Sequence, residues 1–276
     1  MTALALAPTE PRARFRDLVA AEWSKLWSLR STGWSFLLGA LAVVAFNAGQ
    51  AWDHYRYWTS YDAASRAAFV RDGRALWDAF TGNAAMVLIL WAAATGAMAV
   101  VTEYGSGSIR TSFAAVPARR SLMAAKALVV AVATTGFGGV VAGVSFWSSQ
   151  AVLSAHGIGL SLGHPGAVRT VAASALLAPV SALVGLALGT LLRSGAASIV
   201  ASVVLLLVVP AVTSEKRHWS AVLAHLQPER AWQRLLQTGN WEVPYPWTAG
   251  GAWLVYATWA LVAAGVAILA VGHRDQ

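Results

Sequence analysis

The sequence predicts an all-α integral membrane protein with six transmembrane helices, and composition is the first evidence for that fold class. Hydrophobic residues make up 57% of the 276 residues and charged residues 12%, whereas soluble globular domains carry about 25% charge. The mean hydropathy is +0.57, and the fourteen Trp residues suit the membrane–water interface. A chain with this composition requires a bilayer as its solvent.

Six apolar stretches are each long enough to cross a bilayer as a helix, which takes about 20 residues. They form a single transmembrane domain over residues 1–276, with spans at about 33–50, 82–102, 127–153, 170–192, 196–213 and 248–271. Pro179 predicts a kink in the fourth span. The pairs Gly139/Gly143 and Gly185/Gly189 would permit close helix approach, although glycine abundance also explains the first pair.

Residues 1–32 are predicted to be a cytoplasmic segment, and Arg12–Ser31 within it has the pattern of an amphipathic helix. Aromatic and aliphatic side chains recur there at helical spacing, with Arg16, Glu22 and Lys25 between them. Such a helix lies in the plane of the membrane interface; the alternative is a simple flank of the first span. Five basic residues before that span place the N-terminus in the cytoplasm.

An even number of spans then places both termini in the cytoplasm of a multi-pass protein of the cell's inner (plasma) membrane. Eleven of the twenty Lys and Arg residues fall on the predicted cytoplasmic side, which is a modest bias. The predicted external segments are 51–80, rich in Trp and Tyr, the Gly-rich loop 154–169, and 214–247. Within the last of these, residues 228–239 have the pattern of a short helix with Ala231, Leu235 and Leu236 on one side.

A polar and basic insert, Glu103–Lys126, separates the second and third spans and is predicted to be a cytoplasmic coupling loop. Gly105 and Gly107 let the backbone turn, and residues 108–116 can then form a short coupling helix with an apolar stripe. Pro117 would end that helix. The stripe favours docking on a soluble partner over an ordinary loop that meets lipid phosphates. The predicted partner-binding residues are Glu103, Tyr104, Ile109, Arg110, Phe113, Val116, Pro117, Arg119 and Arg120.

The residues that most membrane enzymes and pumps need are missing from the predicted spans. None of the spans holds an Asp, Glu, Lys, Arg or His in its interior, which argues against an ion relay. The sequence has no Cys, no HExxH, no GxSxG and no Walker A motif. His218 and His225 could share a helix face, but a surface pair is favoured over a metal site. The basic residues are scattered among apolar spans, so no nucleic-acid partner is expected.

The chain resembles an ABC-2-type transporter permease of the kind common in actinobacteria. The resemblance rests on AEWSKLWSLRST (21–32), EYGSGSIRTSFAAVPARRSLMAAKAL (103–128), LGTLLRSGAAS (188–198) and GHRDQ (272–276). It implies a permease fold of six spans with an N-terminal interfacial helix and a cytoplasmic coupling helix. The chain itself would bind no cofactor and have no catalytic residue or metal site.

The resemblance further implies how such a permease works. Two permeases would pair, as a homodimer or with a sister subunit, in contact with membrane lipid. Two copies of a separate ATP-binding subunit, which bind ATP and Mg, would dock on the 103–126 loops and drive export of an amphiphilic or hydrophobic compound. The alternative is a non-transporting sensor or immunity subunit that binds a partner through the same loop.

Overall fold

The computed structural model describes residues 14–109, 111, 118–214, 217–238 and 245–273, and within these ranges the chain is helical and contains no strand. In chain order the helices are α1 (Phe15–Ser28), α2 (Arg30–Tyr57), α3 (Ala63–Arg71), α4 (Arg74–Asp78), α5 (Gly82–Ser106), α6 (Arg119–Ser154), α7 (Ala167–Leu192), α8 (Gly195–Val212), α9 (His218–His225), α10 (Pro228–Leu236) and α11 (Ala249–His273).

Among these described elements, six helices are long and apolar enough to cross a membrane, and they correspond to the six predicted spans: α2, α5, α6, α7, α8 and α11. The structure therefore supports an all-helical, multi-pass membrane protein. Helix α1 forms within the predicted amphipathic segment, and α10 forms within the predicted external helix. On α10, Ala231, Leu235 and Leu236 are buried as the sequence pattern predicts, together with Trp232.

Several helices extend beyond the predicted apolar spans. Helix α2 continues past Gln50 to Tyr57, α5 continues past Thr102 to Ser106, and α6 begins at Arg119. A helix satisfies its backbone hydrogen bonds within itself, so it persists where the apolar run stops. The observed helices consequently carry ionisable residues, among them Glu103 and Lys126, that lie outside the predicted spans.

Near the end of the first apolar run, where the sequence predicts that the span leaves the membrane, the side chain of Asn47 lies inside the protein. It is only 2% exposed, and its amide nitrogen donates to Ser145 Oγ at 3.0 Å. Its amide oxygen accepts from the backbone N–H of Thr81 at 2.9 Å and from the Thr81 hydroxyl at 3.0 Å. Asn47 thus connects α2, α6 and the start of α5 inside the protein.

Helix α7 is the centre of the bundle. In its most apolar stretch 72% of the residues are buried, against 17% for α2 and 22% each for α8 and α11. It packs against α5, α6, α10 and α11 and runs continuously through the buried Pro179. The outer helices therefore leave broad apolar faces for the membrane or for another subunit.

Glycine allows α5 and α7 to pack with their backbones in contact, at the predicted pair Gly185/Gly189. A Cβ atom at Gly185 would overlap the carbonyl oxygen of Ala93, and one at Gly189 would lie 2.9 Å from that of Ala97. The other predicted pair behaves differently, because a Cβ at Gly139 or at Gly143 would have no atom of the described chain within 4 Å.

At the end of the bundle opposite α1, three arginines bind backbone carbonyls. Arg169 on α7 donates to the carbonyls of Leu235 and Gln237 at 2.9 and 2.6 Å. Arg230 and Arg234 on α10 donate to carbonyls beyond their own helix: Pro210 and Thr213 for Arg230, and Trp247 for Arg234. The contacts of Arg169 and Arg230 satisfy carbonyls at the C-terminal ends of helices, which lack partners within the helix. Together the three arginines fix α10 against α7, α8 and the start of α11.

The packing of α5 on α7 predicts that Gly185→Ala destabilises the protein. The added methyl group forces the two backbones apart, and overpacking of this kind costs about 1–3 kcal/mol. The measurement is the midpoint of thermal unfolding in detergent. Gly139→Ala is the matched control, because its methyl group meets open space and alanine favours helix over glycine. A midpoint for Gly185→Ala equal to that of the control would contradict the close packing.

Candidate functional site

Four charged side chains form one cluster where α1 crosses α5 and α6, and we refer to Glu22, Lys25, Glu103 and Lys126 as the ion cluster. Lys25 Nζ lies 2.7 Å from Glu22 Oε1 and 3.3 Å from Glu103 Oε1. Lys126 Nζ lies 2.9 Å from Glu103 Oε1 and also pairs with Glu22 Oε2. The cluster links the N-terminal helix to both helices that flank the insert.

The ion cluster is buried at its centre and open at one side. The side chains of Glu22, Lys126 and Glu103 are 2%, 5% and 12% exposed, whereas that of Lys25 is 44% exposed. Two carboxylates and two ammonium groups leave the cluster without net charge. Mutual pairing is what makes such burial tolerable, since an unpaired buried charge is very costly.

Helical spacing places the cluster on the contact face between α1 and α6. Leu18 on α1 and Leu122 on α6 pack together with Ala125 in a small buried group. Glu22 follows Leu18 by four residues and Lys126 follows Leu122 by four residues, so each charged residue lies one turn along the same face. The sequence pattern assigns Glu22 to the polar side of the interfacial helix; in the structure that side chain points into the protein.

Lys25, the most exposed member of the ion cluster, has a shifted pKa. Burial by itself would lower the pKa of Lys25, but the hydrogen bond and charge of Glu22, with those of Glu103, outweigh it. The pKa of Lys25 is therefore raised above its ordinary value of 10.5. Lys25 stays protonated throughout the physiological range.

A cavity of about 390 Å³ adjoins the ion cluster, a size within the range of small-molecule sites. Its wall comes from α1, the start of α2, the second half of α5 and the start of α6. The lining residues are Glu22, Lys25, Leu26, Leu29, Ser31, Thr32, Ser35, Phe36, Trp91, Ala94, Thr95, Met98, Ala99, Thr102, Glu103, Lys126, Val129 and Val130. The four charged side chains of the ion cluster lie at the end near α1.

Trp91 forms the far wall of the cavity and is held on several sides. Its indole N–H donates to the carbonyl and to the hydroxyl oxygen of Ser35, both at 3.0 Å. Its ring stacks on Phe137 with a centroid distance of 3.8 Å and meets the edge of Phe36 at 4.8 Å. This wall is consequently preformed rather than dependent on a ligand.

The predicted partner-binding residues at the start of the insert have roles inside the chain. Glu103 belongs to the ion cluster. The guanidinium of Arg193, in the turn between α7 and α8, lies 4.8 Å from the ring centroid of Tyr104. Ile109 is 5% exposed and belongs to the main hydrophobic core. An exposed stripe for docking on a partner therefore does not include Ile109.

The remaining predicted contacts divide into two groups. Arg119 is the first residue of α6 and is half-buried, while Arg120 is exposed. Arg110, Phe113, Val116 and Pro117 lie outside the described residues. The predicted coupling helix over 108–116 is described only at 108, 109 and 111, all of which are helical, so the rest of that helix stays a prediction.

The two glycines predicted to turn the chain after the second span differ in role. Gly107 ends α5 with φ of +73°, the left-handed conformation that glycine adopts readily. Gly105 is an ordinary helical residue of α5, so the prediction of a turn there is wrong. The turn falls later because Tyr104, Gly105 and Ser106 continue the helix that holds Glu103 in the cluster.

His218 and His225, which could share a helix face by their spacing, each lie against aromatic rings. His225 stacks on Trp247 at 4.5 Å, and His218 contacts the rings of Trp219 and Tyr245. Across the part of the chain that the structure describes, no group of three His, Cys, Asp or Glu side chains could hold a metal ion.

Compared with protein-family models and with curated proteins, the chain matches none of them.

The burial of the ion cluster predicts that Lys126→Met is strongly destabilising. It leaves Glu22 and Glu103 as buried carboxylates with too little compensating charge, and breaking a buried ion pair costs about 3–5 kcal/mol. Thermal unfolding in detergent measures the effect. Arg16→Met is the control, because Arg16 pairs with Asp17 on the surface at 75% exposure. The triple variant Glu22→Gln, Glu103→Gln, Lys126→Met removes the unpaired carboxylates as well, so it should recover much of the lost stability. If its unfolding midpoint stays as low as that of Lys126→Met, lost packing and not unpaired charge causes the destabilisation.

The raised pKa of Lys25 predicts a pH-dependent stability. A cation whose pKa is higher in the folded state contributes fully below the unfolded value of 10.5 and loses that contribution as the pH rises through the folded-state pKa. The unfolding midpoint should therefore fall more steeply above pH 10.5 for the native protein than for Lys25→Met. Equal slopes for the two proteins would show that the carboxylates do not hold the Lys25 proton.

Proposed function

We propose that the chain is the membrane-spanning permease subunit of an ATP-driven ABC transporter of the ABC-2 type. A separate ATP-binding subunit docks on the 103–126 loop, carries ATP and Mg, and drives export of an amphiphilic or hydrophobic compound. Two such permeases, identical or as sister subunits, form the complete pathway with two ATP-binding subunits.

The ion cluster is the observation that carries the proposal. The insert begins at Glu103 and ends at Lys126, and Lys126 forms ion pairs both with Glu103 and with Glu22 on α1. Buried charge pairs hold their partners in one geometry far more strictly than apolar contacts do. A partner that displaces the insert would therefore move α1, α5 and α6 together.

A second contact extends this connection to the centre of the bundle. Tyr104 lies under the guanidinium of Arg193, and Arg193 follows the last residue of α7, the most buried span. The insert is thus in contact with the ends of α5, α6 and α7. These contacts support a role for the insert as the place where mechanical work enters the membrane helices.

The exposed basic residues of the insert suit a soluble partner. Arg120 is exposed on the first turn of α6, and Arg110 and Phe113 lie in the central part of the insert. An aromatic anchor flanked by arginines is the composition typical of protein–protein hot spots. In the proposal Phe113 enters a groove of the ATP-binding subunit and the arginines surround it.

The docking role predicts that Phe113→Ala lowers partner-stimulated ATPase activity about tenfold, the effect of losing one hot-spot anchor. The measurement uses the chain purified in complex with a candidate ATP-binding subunit. Arg71→Ala is the control, because Arg71 lies on α3 at the opposite end of the bundle and its side chain is 74% exposed.

Two results distinguish the outcomes. Unchanged ATPase stimulation in Phe113→Ala would contradict docking through the insert. Vesicles that hold the native complex test transport itself: partner binding without ATP-dependent movement of an amphiphile would indicate a sensor or immunity subunit instead.

A further inference from the structure

The cavity beside the ion cluster is polar at one end and apolar along its length. Glu103 and Trp91 line its two ends and are twelve residues apart on α5, which corresponds to ~18 Å at ~1.5 Å per residue. Between them the wall is made mostly of apolar side chains, Ala94, Met98 and Ala99 on α5 with Val129 and Val130 on α6. Thr95 and Thr102 also line it, and their hydroxyls donate to carbonyls of their own helix. A polar end and a long apolar wall together match an amphiphile that has one headgroup and one extended chain.

The cavity opens sideways rather than being enclosed. Leu29 and Met98 line it and are 60% and 42% exposed. Both are large apolar side chains, at the start of α2 and near the end of α5. The opening therefore meets the surface that a bilayer would cover, at the end of the spans where the ion cluster lies.

Three polar groups of the cavity with unused hydrogen-bonding capacity can all act as donors. An ammonium group has three N–H bonds, and Lys25 uses two of them, for Glu22 and Glu103. Ser31 and Thr32 line the same cavity, six and seven residues after Lys25, and their hydroxyl groups form no hydrogen bond among the described residues. Three donors from one short stretch of chain favour a ligand headgroup with several acceptor oxygens.

The carboxylates of the ion cluster offer no accessible oxygen to a ligand in the cavity. Glu22 uses both of its oxygens, for Lys25 and Lys126. Glu103 uses Oε1 for the same two lysines, and its Oε2 is buried away from the cavity surface. A cationic headgroup would find no open carboxylate oxygen and would face the exposed charge of Lys25.

We propose that this cavity binds a single-chain amphiphile with an anionic oxyanion headgroup, a phosphate or a carboxylate. The headgroup accepts hydrogen bonds from Lys25, Ser31 and Thr32, and the chain lies along α5 towards Trp91. Charge-assisted hydrogen bonds supply the preference for the headgroup, and burial of the chain supplies most of the affinity. The site is complete within one chain.

This inference is independent of the proposed transport function, because it concerns binding to the chain alone. A test needs neither an ATP-binding subunit nor ATP. Failure of the binding experiment would leave the docking role of the insert untouched, and failure of docking would leave the binding site untouched.

The experiment measures equilibrium binding of radiolabelled dodecyl phosphate to the purified chain in nanodiscs of phosphatidylcholine. The expected result is saturable binding at one site per chain. Dodecyltrimethylammonium, with the same chain and a cationic head, should compete weakly, and inorganic phosphate should not compete. Equal competition by the cationic amphiphile would overturn the assignment of the headgroup, and competition by inorganic phosphate would overturn the role of the chain.

Two variants test the two halves of the site. Lys25→Met should weaken binding about tenfold through loss of a charge-assisted hydrogen bond. Ala94→Phe should abolish binding, because its ring occupies the cavity beside Trp91. Val140→Phe is the matched control on the outer face of α6, where Val140 is 65% exposed. Unchanged binding in Ala94→Phe, with an unfolding midpoint equal to that of the control, would show that the amphiphile does not enter this cavity.

Discussion

Burial of charge at one end of the bundle is the constraint on which the arrangement of α1, α5 and α6 depends. The side chains of Glu22 and Lys126 are 2% and 5% exposed, and burial of either one depends on the other and on Glu103. Because each of the three helices contributes one of these groups, the position of α1 on the bundle follows from the need to pair them. The same pairing brings the two ends of the insert together, so this polar segment is firmly attached at both ends.

The opposite end of the bundle uses positive charge in another way. Arg169 and Arg230 bind carbonyl oxygens at helix ends, Arg234 binds the carbonyl of Trp247 before α11, and Arg66 binds those of Trp58 and Thr59. These arginines replace the water that exposed carbonyls would otherwise need.

Between the two ends, small residues determine which helices touch. Gly185 and Gly189 bring α7 against the backbone of α5, and Gly138 does the same between α6 and α7, where a Cβ would overlap the carbonyl oxygen of Ala175. Gly139 is next to Gly138 in sequence yet faces outward, because successive helical residues point about 100° apart. Glycine content alone therefore indicates that close packing is available without saying on which face it occurs.

The sequence by itself determined the fold class, the six spans, the N-terminal helix and the short helix at α10, because hydrophobic runs and helical periodicity are local properties of the chain. It also located the insert, and with it Glu103 and Lys126. Only the tertiary structure decided that Glu22, placed by pattern on a polar surface, is buried with those two residues, that Ile109 packs in the core, and that a cavity lies beneath Lys25. Each of these depends on contacts between residues far apart in sequence. A local pattern reports how polar a side chain is; the helix packed against it decides whether that polarity meets water or a buried counter-ion.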